Sequence, residues 1–557
     1  MAEQTPDQRV QNIDDGFLPL FCQRNLFRYF ARNAGRSIGK LLTTRGLTDD
    51  SAYPISSVFK ISRFLDFSIE YEQNPGTFSD PSMMYCPLKS LERDLIDISA
   101  RKHGFPRIIG MGLVVLLTGA SAWAGDHEAE IAVVRSSHNA AFSAAHQDFA
   151  GTDVNLAGIT EIQIDDPRAG LTHDVFGFST AISGDTLLIG APRDETVAGI
   201  KDGAAYIFVR SGQSWNLQAR IVANDAHEGN YFGGPVALSG DTALIGAGGN
   251  SGAGEYSGSV YVFKRTGNSW AQQAKLIPSD SAAYDYFGNS ISLSGDTALI
   301  GRTSESFLPI PKVGAAYVFV RQGSSWSQQT KLVGNDVLVQ DDFGRSVAIS
   351  GETAVVGSPF TSTAAGDNVG SAYVFQRSGT SWSQRQKLVA PDAASGDFFG
   401  NAIAVSGNHM LVGAPRHANT TGALAGAAYV FALSGASWSV QSELGAADGA
   451  ASDSFGGAVA ISDELALVGA YYSANMGVAA AGTAHVYSRA GDQWIPRSRL
   501  AASESVDHGY FGFSVALTGT TLVVGAPGGD GGFTGTSGVC SAHVYEVSEL
   551  IFSNGFE

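Results

Sequence analysis

The chain has 557 residues, of which 44% are hydrophobic and 16% charged, and a formal net charge of −18. That balance fits a packed globular protein rather than a disordered one, and an acidic surface repels phosphate backbones, which sets nucleic acid aside as a partner. The 68 glycines and the 10% aromatic content read as many short strands joined by tight turns.

In chain order, residues 1–100 share no pattern with the remainder of the chain. They are expected to be an upstream segment that precedes the true start, near Met83, Met84 or an unrecognised alternative start; the rival reading is a cytoplasmic segment ahead of an uncleaved anchor. Residues 101–124 have the three parts of a secretory signal in order. Arg101, Lys102 and Arg107 are basic, Ile108–Gly119 is apolar, and Ala122-Trp123-Ala124 is a small-residue cleavage site. The apolar run is shorter than the ~20 residues of a bilayer span, so no stable membrane span is expected; a buried core helix is the other reading. Cleavage would leave Cys540, and not Cys22 or Cys86, in the mature chain, with no internal disulfide. The expected location is outside the cytoplasm, secreted or at the cell surface. Residues 125–158 read as a linker.

From residue 159 to 547 the chain repeats. Phe-Gly recurs at Phe176, Phe232, Phe287, Phe343, Phe399, Phe455 and Phe511, and each Phe is followed by a glycine, Gly190, Gly246, Gly301, Gly357, Gly413, Gly469 and Gly525. Trp215, Trp270, Trp326, Trp382, Trp438 and Trp494 stay in step with them. In the fourth copy, Ser346–Ile349, Thr353–Val356, Gly370–Phe375 and Trp382–Leu388 read as four strands, the first two joined by the tight turn Ser350–Thr353. The last strand alternates and carries Lys387, as an outer edge should.

Seven units of four antiparallel strands predict an all-β, seven-bladed β-propeller. A solenoid would need polar caps, and none is visible. The last copy lacks its tryptophan strand. Thr160–Ile164 is expected to supply it and lock the chain ends together; Glu549–Phe552 is the competing candidate.

These residues resemble the FG-GAP repeat family, known from the N-terminal propeller of integrin α chains and from many bacterial surface proteins. The resemblance rests on Phe176-Gly177 with Gly190-Ala191-Pro192, Phe399-Gly400 with Gly413-Ala414-Pro415, and Phe511-Gly512 with Gly525-Ala526-Pro527. The third-strand texts Tyr317-Val318-Phe319 and Tyr373-Val374-Phe375 extend it. It implies a propeller and leaves function open. Integrin-type blades often carry a D-x-D-x-D-G calcium loop between the first and second strands. Here that connection is only Gly184-Asp185, Gly240-Asp241, Gly295-Asp296 or Gly351-Glu352, so those calcium sites do not carry over.

Strand order puts the second-to-third-strand loops and the inter-blade loops on one face. The former differ most between copies, and variable loops on a rigid scaffold are the usual place for recognition. Arg193, Asp194, Asp367, Asn368, Arg416 and His417 are the expected ligand-binding residues on that face; neutral drift is the other reading. The inter-blade loops hold the pairs Asp280/Asp285, Asp336/Asp341, Asp392/Asp397 and Asp448/Asp453. These read either as weak cation sites around the channel, calcium among them, or as carboxylates bonded to their own turns. No metal-ligand set and no catalytic residue is assigned, and no cofactor is expected. His485 and His543 stand where other copies have tyrosine and read as packed aromatics; the tryptophans read as wedges between blades.

The expectation is a non-enzymatic, monomeric binding or adhesion module for an extracellular protein or glycan. A propeller hydrolase acting on polysaccharide or phosphoester, and a structural surface protein without a specific ligand, are the alternatives. The tail Ile551–Glu557 has the look of a sorting or processing signal.

Overall fold

A computed structural model describes residues 160–167, 174–195, 201–250, 252–303, 313–503, 505–528 and 540–547. The upstream segment, the signal, the linker, the tail and the Glu549–Phe552 candidate all lie outside the described residues.

The strands form seven four-stranded antiparallel sheets, one per repeat, so the expected propeller is the observed fold. Blade 4 is representative: Val347–Ser350, Thr353–Ser358, Ser371–Ser378 and Ser381–Leu388. Its second strand is buried along its whole length, and its fourth alternates between exposed and half-buried positions, as an edge strand facing water must. The turn between the first two strands has Gly351 at φ +56°, a conformation that costs glycine nothing and a side-chain-bearing residue much more.

Closure follows the N-terminal expectation. Thr160–Asp165 pairs antiparallel with Ser541–Glu546, with Ile162 opposite Val544, and completes the seventh sheet. One blade is thus built from both ends of the repeat region, which ties the ring shut.

The core lies between blades. Each hydrophobic cluster joins two neighbours: Val374 and Leu388 of blade 4, for instance, pack with Met410, Tyr429 and Phe431 of blade 5. Ile189 and Tyr206 of blade 1 pack with Val523 and Val544 of blade 7. The repeated glycines make this approach close enough. A Cβ on Gly357 would stand 2.1 Å from the Gly400 carbonyl oxygen of the next blade. The tryptophans bridge blades as expected: the Trp382 indole N–H donates to Gln329 of the preceding blade at 2.8 Å, and that of Trp494 to Gln441 at 2.9 Å.

Candidate functional site

Each Phe-Gly pair is the centre of a four-residue turn. The amide of the residue after Phe-Gly donates to the carbonyl of the residue before it, as in Phe178 to Val175, Arg345 to Asp342 and Phe513 to Tyr510. The phenylalanine points inward and meets the third-strand aromatic edge-on, Phe176 on Tyr206 at 5.4 Å and Phe343 on Tyr373 at 5.3 Å. The preceding residue is left-handed in all seven copies, at Val175, Tyr231, Tyr286, Asp342, Phe398, Ser454 and Tyr510. Such backbone costs roughly 1–3 kcal/mol where it is not glycine and persists only where the surroundings impose it. Here the two hydrogen-bonded ends of the turn are aimed at the propeller axis. Val175, Tyr231 and Tyr286 from before the pairs, and Phe178, Arg345 and Phe513 from after them, line a cavity of about 670 Å³ together with Arg193. Its wall carries Phe178, Tyr231, Tyr286 and Phe513 beside the guanidinium groups of Arg193 and Arg345. Arg416 lies over the Phe398 ring at 5.0 Å, next to Phe360.

A second repeating device sits behind the mouth. The third-strand aromatic and its register partner on the fourth strand grip one carboxylate. In blade 4 the Tyr373 hydroxyl donates to Asp336 at 2.9 Å and Lys387 Nζ donates at 2.6 Å. Asp280 with Tyr317 and Lys331, and Asp225 with Tyr261 and Lys275, repeat it in blades 3 and 2. In blade 1 the acid is Asp194, fully buried, held by Tyr206 and by two nitrogens of Arg220 at 3.0 and 2.9 Å. In blade 6 Arg499 pairs with Asp448 at 2.8 Å.

Blade 5 breaks the rule. The register partner of Tyr429 is Glu443, where blades 1, 2, 3, 4 and 6 place Arg220, Lys275, Lys331, Lys387 and Arg499 and blade 7 places Gln163. Tyr429 still donates to Asp392 at 2.8 Å. Into the gap comes His417, from the repeat position that Asp194 fills in blade 1. Its Nδ1 is 3.1 Å from Asp397 and its Nε2 is 3.4 Å from Asp392. One donor atom from each of Asp392, His417 and Glu443 lies within 4.8 Å of the other two. Burial and the Asp392 charge push the Glu443 carboxyl above its usual range. Burial disfavours a charged His417, but the Asp397 hydrogen bond and the Asp392 charge outweigh it and raise the imidazole.

With seven equal blades and a Phe-Gly turn in each, the comparison with known families is decisive. The FG-GAP repeat matches residues 167–208, 215–263, 270–319, 326–375, 382–431, 438–487 and 494–545. The chain belongs to the FG-GAP repeat family. No curated protein matches it.

The six residues singled out in this FG-GAP chain separate into three groups. Arg193 lines the axial mouth and Arg416 is exposed above Phe398. Asp194 and His417, each next in sequence, turn away from the surface and belong to the buried devices of blades 1 and 5. Asp367 and Asn368 act through their backbones: the Gly396 amide donates to the Asp367 carbonyl and the Phe398 amide to that of Asn368, latching blade 4 to the loop before blade 5. The paired acids also divide their work. The second of each pair caps its own loop, Asp341 accepting from Leu338 N at 2.9 Å and Asp453 from Ala450 N at 2.8 Å. The first accepts from the next blade. His485 and His543 replace tyrosine as packed rings, at 5.3 Å from Phe455 and 5.1 Å from Phe511. The first-to-second-strand turns, two residues long as at Gly351-Glu352 and three in blade 6, have no room for an integrin-type calcium loop.

Sequence reading missed the mouth-lining residues that flank Phe-Gly, and it missed Asp392 and Glu443 as partners of His417. Both were accessible. The residues before Phe-Gly change from copy to copy around a fixed pair, and Glu443 is an acid where five other blades have a base.

Proposed function

We propose that this FG-GAP propeller is a non-enzymatic binding module, working outside the cytoplasm, that takes a carboxylate-bearing glycan in its axial mouth. The observation that carries the reading is one cavity lined by Tyr231, Tyr286, Phe178 and Phe513 together with Arg193 and Arg345. Aromatic faces pack against the apolar faces of sugar rings, and guanidinium groups grip carboxylates through paired hydrogen bonds. The chain is strongly acidic overall, so arginines gathered at the mouth make it the favoured place for an anionic ligand. The scaffold is rigid, so little ordering opposes binding there.

A panel of uronate-containing and neutral oligosaccharides, assayed by calorimetry, tests this. Uronate chains should bind, and Arg193→Ala combined with Arg345→Ala should weaken them about tenfold or more, since a hydrogen bond to a charged group contributes roughly 1.5–3 kcal/mol. Preference for neutral glycans, or for a protein partner indifferent to the arginine changes, would overturn the reading.

A further inference from the structure

We propose that blade 5 holds a divalent transition-metal ion between His417, Asp392 and Glu443, in the place that a lysine ammonium takes in blades 2, 3 and 4.

The repeat itself supplies the control. In five blades a base stands beside the acid; in blade 5 the base has become Glu443, at the same register position opposite the third-strand tyrosine. Two carboxylates then stand close together, and among the described residues no lysine or arginine is paired with either. The substitution comes with a second one: the position occupied by Thr361 in blade 4 is His417 in blade 5, and its ring is carried into the gap.

The imidazole is set as a ligand would be. Metal-bound histidines turn their other ring nitrogen to a carboxylate or carbonyl, which fixes the tautomer and the ring plane. Asp397 does this to Nδ1 at 3.1 Å and is itself anchored by the Ala394 amide at 2.7 Å. Nε2 is left facing Asp392 and Glu443. Bonds of about 2.0–2.1 Å to a tetrahedral ion place neighbouring donor atoms about 3.4 Å apart. His417 Nε2 and Asp392 Oδ2 are already 3.4 Å apart. Glu443, the longest of the three side chains, completes the set with a carboxylate oxygen within 4.8 Å of the other two. One imidazole with two carboxylates suits zinc and its neighbours better than calcium, which prefers six to eight oxygens.

The full chain, stripped with chelator, is titrated with Zn²⁺ in a calorimeter. One ion per chain is expected, with a dissociation constant near or below about 1 µM. Asp397→Asn should weaken binding about 10–100-fold, as loss of an outer partner does. Glu443→Lys rebuilds the blade 4 arrangement, so it should fold, and it should bind no ion. Co²⁺ in the unaltered chain should give the visible absorption of a four-coordinate nitrogen-ligated ion, a readout independent of whether any variant folds. No zinc uptake, unchanged uptake in Glu443→Lys, or equal preference for Ca²⁺ without a cobalt spectrum would each overturn the site. Glycan binding in the mouth is scored separately, so either proposal can fail alone.

Discussion

Blades 4 and 5 share a scaffold and differ in chemistry. In both, the second, third and fourth strands have six, eight and eight residues, the phenylalanine of the Phe-Gly turn packs on the third-strand tyrosine, and that tyrosine donates to an inter-blade aspartate. Blade 4 completes the aspartate with Lys387, while blade 5 presents Glu443 and brings in His417. What a repeat fixes is therefore the packing that every copy needs to touch its neighbours. What it leaves free is the small set of positions pointing at the axis and into the gap behind it. Two substitutions at such positions turn a closed ion pair into an open set of ligands without disturbing a strand.

The likeness of the two blades is strained hardest at the shared scaffold. Phe343→Ala and Phe399→Ala should each cost about 3–5 kcal/mol in chemical denaturation, because each empties a fully buried site. A clear inequality would mean that the two blades are not held alike. Next comes Asp194→Ala. It leaves the Arg220 charge and the Tyr206 hydroxyl without their buried partner, at a cost of about 3–5 kcal/mol. Asp336→Ala, at an acid that is more than half exposed, should cost only about 0–1 kcal/mol. Equal losses would contradict the distinction between buried and surface versions of the device.

A smaller effect is the acid limb of stability. Burial would raise Asp225, Asp280 and Asp336, but hydrogen bonds from Lys275, Lys331 and Lys387 and from the tyrosines outweigh it and hold all three below their ordinary value of 3.8. A carboxylate depressed on folding contributes stability above its unfolded pKa, and that contribution is lost as pH falls through the folded one. Melting temperature should therefore drop as pH falls below about 4, and the drop should be shallower in Asp336→Asn. An unaltered acid limb in that variant would remove the device from the balance of stability. Smallest of all, Arg416→Ala should leave stability, read from thermal melts, within about ±0.5 kcal/mol of the unaltered chain, because its guanidinium is exposed above Phe398.

The propeller was legible from the sequence because blade packing demands the same small and aromatic residues at the same spacing. Gly357 must be a glycine to let the Gly400 carbonyl approach, and Phe343 must fill the blade, so the period is written in residues that cannot vary. Closure by Thr160–Asp165 was legible for a related reason: the last copy was short of one strand. The candidate sites were less so. Asp194 and His417 lie in loops, where polar residues ordinarily face water, and only the backbone path after Arg193 and Arg416 carries them inward. The register that sets Glu443 opposite Tyr429 follows from the repeat, but the approach of His417 depends on a loop geometry that no spacing encodes.

The most direct test transplants the difference. Lys387→Glu with Thr361→His places the blade 5 residues on blade 4, where Asp336 and Asp341 already stand in for Asp392 and Asp397. Zinc counted per chain should rise from one to two. A count that stays at one in a folded protein would show that those two repeat positions do not make the site.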